Sequence, residues 1–176
     1  MNKVYQSGDY VAVHKNPVWR DKANFIIKTY LGQKYGRNEW EQLWALDLGD
    51  RQFALCCIPF FAYDLALGDE VETDGNYVVQ RVIKTSDQYT FRVWFGDSTH
   101  IGIKDEVSQQ MKARSAELEW SSENLLALSV SAEQAQQVAN YLYAEQNARN
   151  LVYETGLTLN KGGVETGSGN RPPESE

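Results

Sequence analysis

The side chains best suited to chemistry in this sequence are two histidines and two cysteines. His14 and His100 lie far apart in the chain, whereas Cys56 and Cys57 are adjacent. A metal site needs about three or four convergent ligands, and neither histidine has a cysteine or carboxylate at ligand-like spacing. A cysteine paired with a histidine can form a nucleophile, but both cysteines lie in an apolar run that predicts a strand interior. We therefore expect no metal, no cofactor and no enzymatic activity.

The two cysteines have a simpler structural interpretation. They belong to the run Phe53-Ala-Leu-Cys-Cys-Ile58, and neighbouring side chains of a strand point to opposite faces. A disulfide between adjacent cysteines would be strained there, so we expect two reduced thiols. Gly162-Gly163 and Gly167-Ser-Gly169 follow no predicted strand and precede no predicted helix, which excludes a phosphate-binding loop.

Composition narrows the class of partner. The 176 residues include 24 acidic and 17 basic side chains, for a net charge of −7. An acidic chain is a poor match for nucleic acid or for an anionic membrane surface, but it suits a basic protein. No apolar run approaches the roughly 18 residues that span a bilayer. The first residues, MNKVYQSGDYVAVHKN, lack the apolar segment of a signal peptide, so we expect a cytoplasmic protein.

The predicted elements fall into two subdomains of an α+β fold. Residues 1–88 should be mainly β: a strand at 25–31, a hairpin of 41–48 with 51–58, and strands that begin at Val71 and Asn76. These strands predict a small β-barrel or a bent antiparallel sheet.

Residues 89–159 follow a different pattern. Ile103, Val107 and Met111 recur every four residues and predict a helix over about 103–116. Ser131 and Gln134 form a capping-box pattern at the start of a second helix, which runs to about residue 149. With the intervening strands, the order β-α-β-β-α-β predicts a ferredoxin-like unit, with Trp120 in the core under the helices. Residues 160–176 are rich in glycine and poor in apolar side chains and predict a disordered tail.

The negative charge is concentrated in the second subdomain. Residues 1–96 hold 11 basic and 12 acidic side chains, whereas residues 97–159 hold 4 and 9. We consider two explanations, a solvated sheet face or a docking surface for a basic partner. The candidate partner-binding residues are five carboxylates and two tryptophans that flank turns: Asp105, Glu106, Glu117, Glu119, Glu123, Trp19 and Trp40.

Two motifs resemble a bacterial family without an established function. They are Asn16-Pro-Val-Trp-Arg-Asp-Lys-Ala-Asn-Phe-Ile-Ile27, and Ile58-Pro-Phe-Phe-Ala62 followed by Leu65-Ala-Leu-Gly-Asp69. Phe91 to Phe95 matches a further strand of the family, and the resemblance extends over about residues 16–157. Some members look like immunity proteins encoded beside polymorphic toxins, including ADP-ribosylating toxins. The resemblance thus implies an antitoxin and offers no catalytic residues to transfer.

The leading hypothesis is an immunity protein that neutralises a toxin domain of an Rhs-type or other secreted effector. It would act by occluding the toxin's active-site cleft. The alternatives are a small-ligand regulatory module and, less favoured, a hydrolase that reverses a modification. A pocket that holds His14 or His100 against two carboxylates would favour the hydrolase.

Overall fold

The computed structural model describes residues 4–149 and 151–157, and their secondary structure divides between two sheets and two α-helices. This mixed architecture confirms the predicted α+β class. The predicted tail, residues 160–176, lies outside the described residues. None of the helices in the described ranges is long and apolar enough to cross a membrane.

The first sheet contains six strands from the first half of the chain. They are β1 (Tyr10–Ala12), β2 (Phe25–Lys34), β3 (Arg37–Gly49), β4 (Gln52–Leu55), β5 (Glu70–Thr73) and β6 (Val79–Lys84). Their order is β1-β3-β4-β5-β6, and β2 pairs with β3. Only β1 pairs in parallel with its neighbour β3, whereas the other pairs are antiparallel.

This sheet is bent but open. Register shifts interrupt the pairing of β2 with β3, of β3 with β4 and of β5 with β6, and such bulges increase local twist. The bend brings β2 close enough to the start of β6 for one bridge, between Lys28 and Val78. Within the described residues the two strands pair no further, so the closed-barrel alternative is wrong.

The second sheet contains four strands and carries both helices. Its elements are β7 (Gln88–Phe95), α1 (Ile101–Ala113), β8 (Glu117–Trp120), β9 (Leu125–Ser131), α2 (Ala132–Ala148) and β10 (Leu151–Thr155). The strands are antiparallel in the order β10-β7-β9-β8. Alternation along β7 turns Phe91, Val93 and Phe95 toward one core, where they pack with Val107 of α1 and Val138 of α2. Both helices therefore cover the same face.

Two local predictions need correction. Ser131 does occupy the N-cap of α2, but its side chain makes no capping hydrogen bond. Strand β4 ends at Leu55, so Cys56 and Cys57 lie in the loop that follows rather than within the strand. Both are buried free thiols, as predicted.

The loop of residues 56–69 joins β4 to β5 and lies between the two sheets. Ile58, Phe60 and Leu67 of this loop form a small core with Ala127 of β9. A buried loop must satisfy its backbone N–H and C=O groups without a neighbouring strand. The side chains that do so come from both halves of the chain and form the site described next.

Candidate functional site

His14 lies between two carboxylates that come from different sheets. Its Nε2 is 3.0 Å from an oxygen of Glu41 on β3, and its Nδ1 bonds to Glu119 on β8. The ring of Phe60 stacks on the imidazole, with 4.0 Å between centroids. All of these side chains are buried, and His14 is only 3% exposed. His14 thus joins the N-terminal segment to both sheets, and we call His14, Glu41 and Glu119 the clamp.

The two carboxylates of the clamp also bind the backbone of the buried loop. Glu41 accepts the N–H groups of Phe60, Phe61 and Ala62 at 2.5, 3.0 and 2.8 Å. Glu119 accepts the N–H of Ile58 at 3.0 Å and has a longer contact, 3.4 Å, to the N–H of Val18. Four consecutive donors of the loop, apart from Pro59, are therefore satisfied by two glutamates.

The ionisation of the clamp follows from these contacts. Burial alone would lower the pKa of His14, but Cys57, Glu119 and Glu41 outweigh it and raise the pKa to about 12. Burial likewise opposes the charged form of Glu41, yet the hydrogen bond from His14 and its positive charge hold the pKa of Glu41 below its usual value. Burial raises the pKa of the Cys57 thiol, and the hydrogen bonds to Glu119 and Glu41 favour the protonated form of His14. At neutral pH the clamp therefore holds a protonated imidazole between two buried glutamates.

Arg92 of β7 satisfies the carbonyl groups of the same loop. Its Nε donates to the carbonyl oxygen of Pro59 at 3.3 Å, and another guanidinium nitrogen bonds to that of Ala62. The third nitrogen pairs with Glu154 of β10 at 3.0 Å, and the Tyr63 hydroxyl donates to the same carboxylate at 2.8 Å. Arg92 is 2% exposed. Glutamates therefore hold the N–H groups of the loop and an arginine holds its C=O groups.

This arrangement binds backbone, and its reactive groups are covered by protein in this structure. Cys57 and Glu41 are fully buried, and Phe60 covers one face of His14. Each charged group of the clamp is already hydrogen-bonded within the protein, which lowers its reactivity and fixes its position. In the part of the chain that the structure describes, no group of three or more histidine, cysteine or acidic side chains could hold a metal ion. The geometry supports a structural role for the cluster.

Comparison with known proteins assigns the family. Residues 41–153 match the family described as "Domain of unknown function (DUF4265)". The chain belongs to this family. The match fits the expected bacterial family without an established function, and it extends across both sheets. It contains Glu41, Arg92 and Glu119, whereas His14 precedes it.

A solved structure shows a similar fold. A crystal structure described as a hypothetical protein from Neisseria gonorrhoeae superimposes with a TM-score of 0.64 and 20% sequence identity. The alignment covers 75% of this chain and 93% of that one. At this identity the similarity concerns the fold alone. No curated protein matches the chain significantly.

Two of the sequence-predicted binding residues are buried, which corrects their assignment to a docking surface. Glu119 is 2% exposed because it belongs to the clamp, and Trp40 is 1% exposed. The Trp40 indole donates to Asp9 at 2.9 Å, and the rings of Tyr5 and Tyr30 pack edge-on against it. Neither side chain is available to a partner on the surface of this structure.

The other candidates remain at the surface, in different surroundings. Asp105, Glu117 and Glu123 are exposed. Glu106 is also exposed, but it pairs with Arg149 at 2.8 Å. Trp19 is half-buried, and Trp120, expected in the core, is 39% exposed. The remaining surface carboxylates therefore lie on α1, on β8 and in the turn after β8.

The two sequence motifs meet at the clamp. Val18 of the first motif and Ile58 of the second both direct their N–H groups to the same oxygen of Glu119. The Trp19 N–H donates to the carbonyl oxygen of Cys56 at 3.0 Å. Trp19 also packs beside Gly68, whose positive φ of 83° forms the turn of the second motif. The motifs that suggested the family are thus neighbours in the fold.

The clamp was missed because its members are far apart in sequence, yet Glu41 of the clamp and its neighbour Arg92 left a local signal. Glu41 alternates with Leu43 and Ala45, so it lies on the buried face of β3. Arg92 lies between Phe91 and Val93 in a strand that is buried on both faces. A charged residue on a buried strand face needs a partner, and searching for such positions would have found both.

Proposed function

We propose that the protein is an immunity protein, which binds a cognate bacterial toxin and covers its active site. The observation that carries the proposal is a set of exposed carboxylates with no internal partner. Among the described residues, Asp105, Glu117 and Glu123 form no ion pair. The buried clamp supports the same proposal, because it uses the side chains best suited to catalysis to hold the loop of residues 56–69.

The proposed mechanism is occlusion of the toxin's cleft. A toxin that transfers ADP-ribose must bind the pyrophosphate of NAD, for which a basic cleft is suited. Carboxylates on the surface of the second half would occupy that cleft and exclude the dinucleotide. Complementary charge also accelerates encounter of the two proteins, which benefits a cell that must neutralise a toxin quickly.

Co-expression tests the proposal. The toxin domain encoded beside this gene is expressed in a bacterium with and without the protein. We expect the protein to restore growth and to co-purify with the toxin domain. Unrestored growth together with absence of the complex would refute the immunity function.

The electrostatic part has its own test. Exchanging Glu117→Lys and Glu123→Lys should slow association with the toxin domain at low ionic strength, with a smaller effect at high salt. The control is Asp21→Lys with Asp50→Lys, two exposed positions of the first half that produce the same change in net charge. Equal association rates for the two double variants would contradict this part.

A hydrolase that reverses a modification is the second candidate, favoured by one observation. His14 lies between two carboxylates, and the Cys57 thiol lies within hydrogen-bonding reach of its imidazole. A thiol, an imidazole and a carboxylate are the parts of a cysteine nucleophile. The variant Cys57→Ser separates the candidates, because a binding protein would still neutralise the toxin and a thiol hydrolase would not.

We also infer that the second half is a ferredoxin-like unit. The inference is supported by the sheet order β10-β7-β9-β8 and by the packing of both helices on one face.

A further inference from the structure

We infer that Trp120 and Ile101 are the apolar anchors of the surface that binds the toxin, and that the partner is a basic protein surface with an apolar depression. This inference rests on the proposed function and assigns it to one end of the helical layer. We call this region the anchor surface, and it comprises Trp120, Ile101 and the neighbouring carboxylates of Asp105 and Glu123.

The two anchors are unusually exposed for their types. Trp120 is 39% exposed and Ile101 is 63% exposed, whereas Trp40 is buried and the other tryptophans are half-buried. Large apolar side chains that remain in water contribute free energy when a partner covers them. Tryptophan is also among the residues that most often dominate the binding energy of an interface.

Hydrogen bonds hold the two anchors at the same end of the second half. Lys104, one turn after Ile101, donates from Nζ to the carbonyl oxygen of Glu123 at 2.9 Å and to the Asn124 side chain at 2.6 Å. These residues belong to the turn that directly follows Trp120. The first turn of α1 is thereby fixed to the turn between β8 and β9.

Trp120 is also held in place by packing. Its ring stacks on that of buried Phe95, with 5.7 Å between centroids and 25° between planes. Because β8 is an edge strand of its sheet, the side of Trp120 away from Phe95 has less protein to cover it. An anchor that is already fixed loses little conformational entropy on binding.

The charges around the anchors define the partner. Glu123 lies in the turn that follows Trp120, and Asp105 lies one turn after Ile101 on α1. An apolar centre within a polar rim is the usual anatomy of a protein interface, and this rim is negative. A basic toxin surface would complement it.

Three exposed tyrosines of the first half fit such a partner less well, because a cation lies over each ring. Lys28 lies 4.3 Å from the ring centre of Tyr5, Lys34 lies 5.3 Å from that of Tyr35, and Arg37 lies 5.3 Å from that of Tyr10. A basic partner would bring like charges together there. The comparison favours the anchor surface.

The test measures the affinity of anchor variants for the toxin domain encoded beside the gene. We expect Trp120→Ala to weaken binding about thirtyfold or more, the effect of losing a dominant interface residue. Ile101→Ser should weaken it by a smaller factor. The matched control is Ile26→Ser with Leu48→Ser on the first sheet, where the side chains are 44% and 46% exposed, and it should bind within twofold of the wild type.

The possible outcomes test the immunity function and the anchor surface separately. Failure of the wild-type protein to bind or neutralise the toxin overturns the proposed function, and the anchor surface with it. If the wild type binds and Trp120→Ala binds equally well, the anchor surface is wrong while the immunity function stands. If sedimentation shows that the wild type self-associates and Trp120→Ala does not, a second copy of this chain occupies the anchor surface. That result also overturns the inference. Ile101→Ser and Trp120→Phe keep the test valid if Trp120→Ala does not fold.

Discussion

The interface between the two sheets and the outer surface of the second half both carry carboxylates, and one strand supplies both. Glu119 of β8 accepts hydrogen bonds from His14, Ile58 and Val18, whereas Glu117, two residues earlier on the same strand, is exposed. Alternation places the two on one face, but that face is covered only near Glu119. Two identical side chains thus differ in role because only Glu119 is contacted by residues of the first half of the chain.

The carboxylates of the two regions therefore have different roles. Carboxylates at the interface accept hydrogen bonds from a buried cation and from backbone N–H groups, so they affect folding and stability. The exposed carboxylates of the second half face water, so they are available for association. Variants should therefore divide into two classes, and the following predictions test that division.

The largest expected effect follows removal of the positive charge from the clamp. His14→Gln leaves Glu41 and Glu119 buried without a counter-ion, and loss of one member of a buried ion pair costs about 3–5 kcal/mol. Urea unfolding should show this decrease in the free energy of unfolding. His100→Gln, at the exposed N-cap of α1, is the matched control with a smaller loss. Equal losses for the two variants would show that the clamp contributes no special stability.

Arg92→Met should have the next largest effect. It removes the donors to the carbonyl groups of Pro59 and Ala62 and leaves Glu154 without its counter-charge. Unsatisfied buried polar groups cost about 1–3 kcal/mol each, so we expect a total loss of about 2–4 kcal/mol in the same measurement. Arg149→Met breaks two ion pairs at the surface, with Glu106 and Glu145, and should change stability much less.

The clamp should also make stability depend on pH. Because the pKa of His14 is raised from 6.5 to about 12, the folded protein retains a proton that the unfolded chain releases. The contribution of His14 to the free energy of unfolding is complete below pH 6.5. It is lost as the pH rises, by up to about 1.4 kcal/mol per pH unit. The lowered pKa of Glu41, against its usual 4.5, means that acid removes stability below pH 4.5. Between these limits the contribution of the clamp is greatest.

Urea unfolding at pH 6.5, 7.5 and 8.5 measures the alkaline limb. The wild type and His14→Gln contain the same two cysteines, whose ordinary pKa is 9.0, so the thiol contribution cancels when the two slopes are compared. The slope should be shallower in His14→Gln than in the wild type, and equal slopes would contradict the assignment of the proton to His14.

The smallest effect on stability is expected at the exposed carboxylates of the second half. Glu117→Gln removes an exposed charge that has no ion pair among the described residues, and such substitutions usually stay within about 0.5 kcal/mol. Glu119→Gln, on the same strand, is the opposite case because it weakens the clamp. Similar stability of the two variants would remove the distinction between the two regions.

Local patterns predicted most of the elements. The four-residue repeat from Ile103 to Met111 predicted α1, and alternation over residues 41–48 predicted β3, because both reflect side chains that face one core. The clamp could not be predicted in this way, since His14 and Glu119 are 105 residues apart. Trp120 was expected in the core because alternation gives the face of a strand but does not show that β8 lies at the sheet edge.

The buried loop has a consequence for how the chain folds. Residues 58–62 form hydrogen bonds with side chains of β3, β7 and β8. Their native conformation therefore requires both sheets at once. Contacts between distant residues slow folding, and shared buried charges couple the two halves, so we expect one cooperative unfolding transition. A chain divided near Asp87 would leave His14 in one fragment and Glu119 in the other, so Glu119 would lose its counter-charge and Arg92 would lose the loop carbonyl groups to which it donates. Neither half could be exchanged by recombination unless its replacement carried the matching charges.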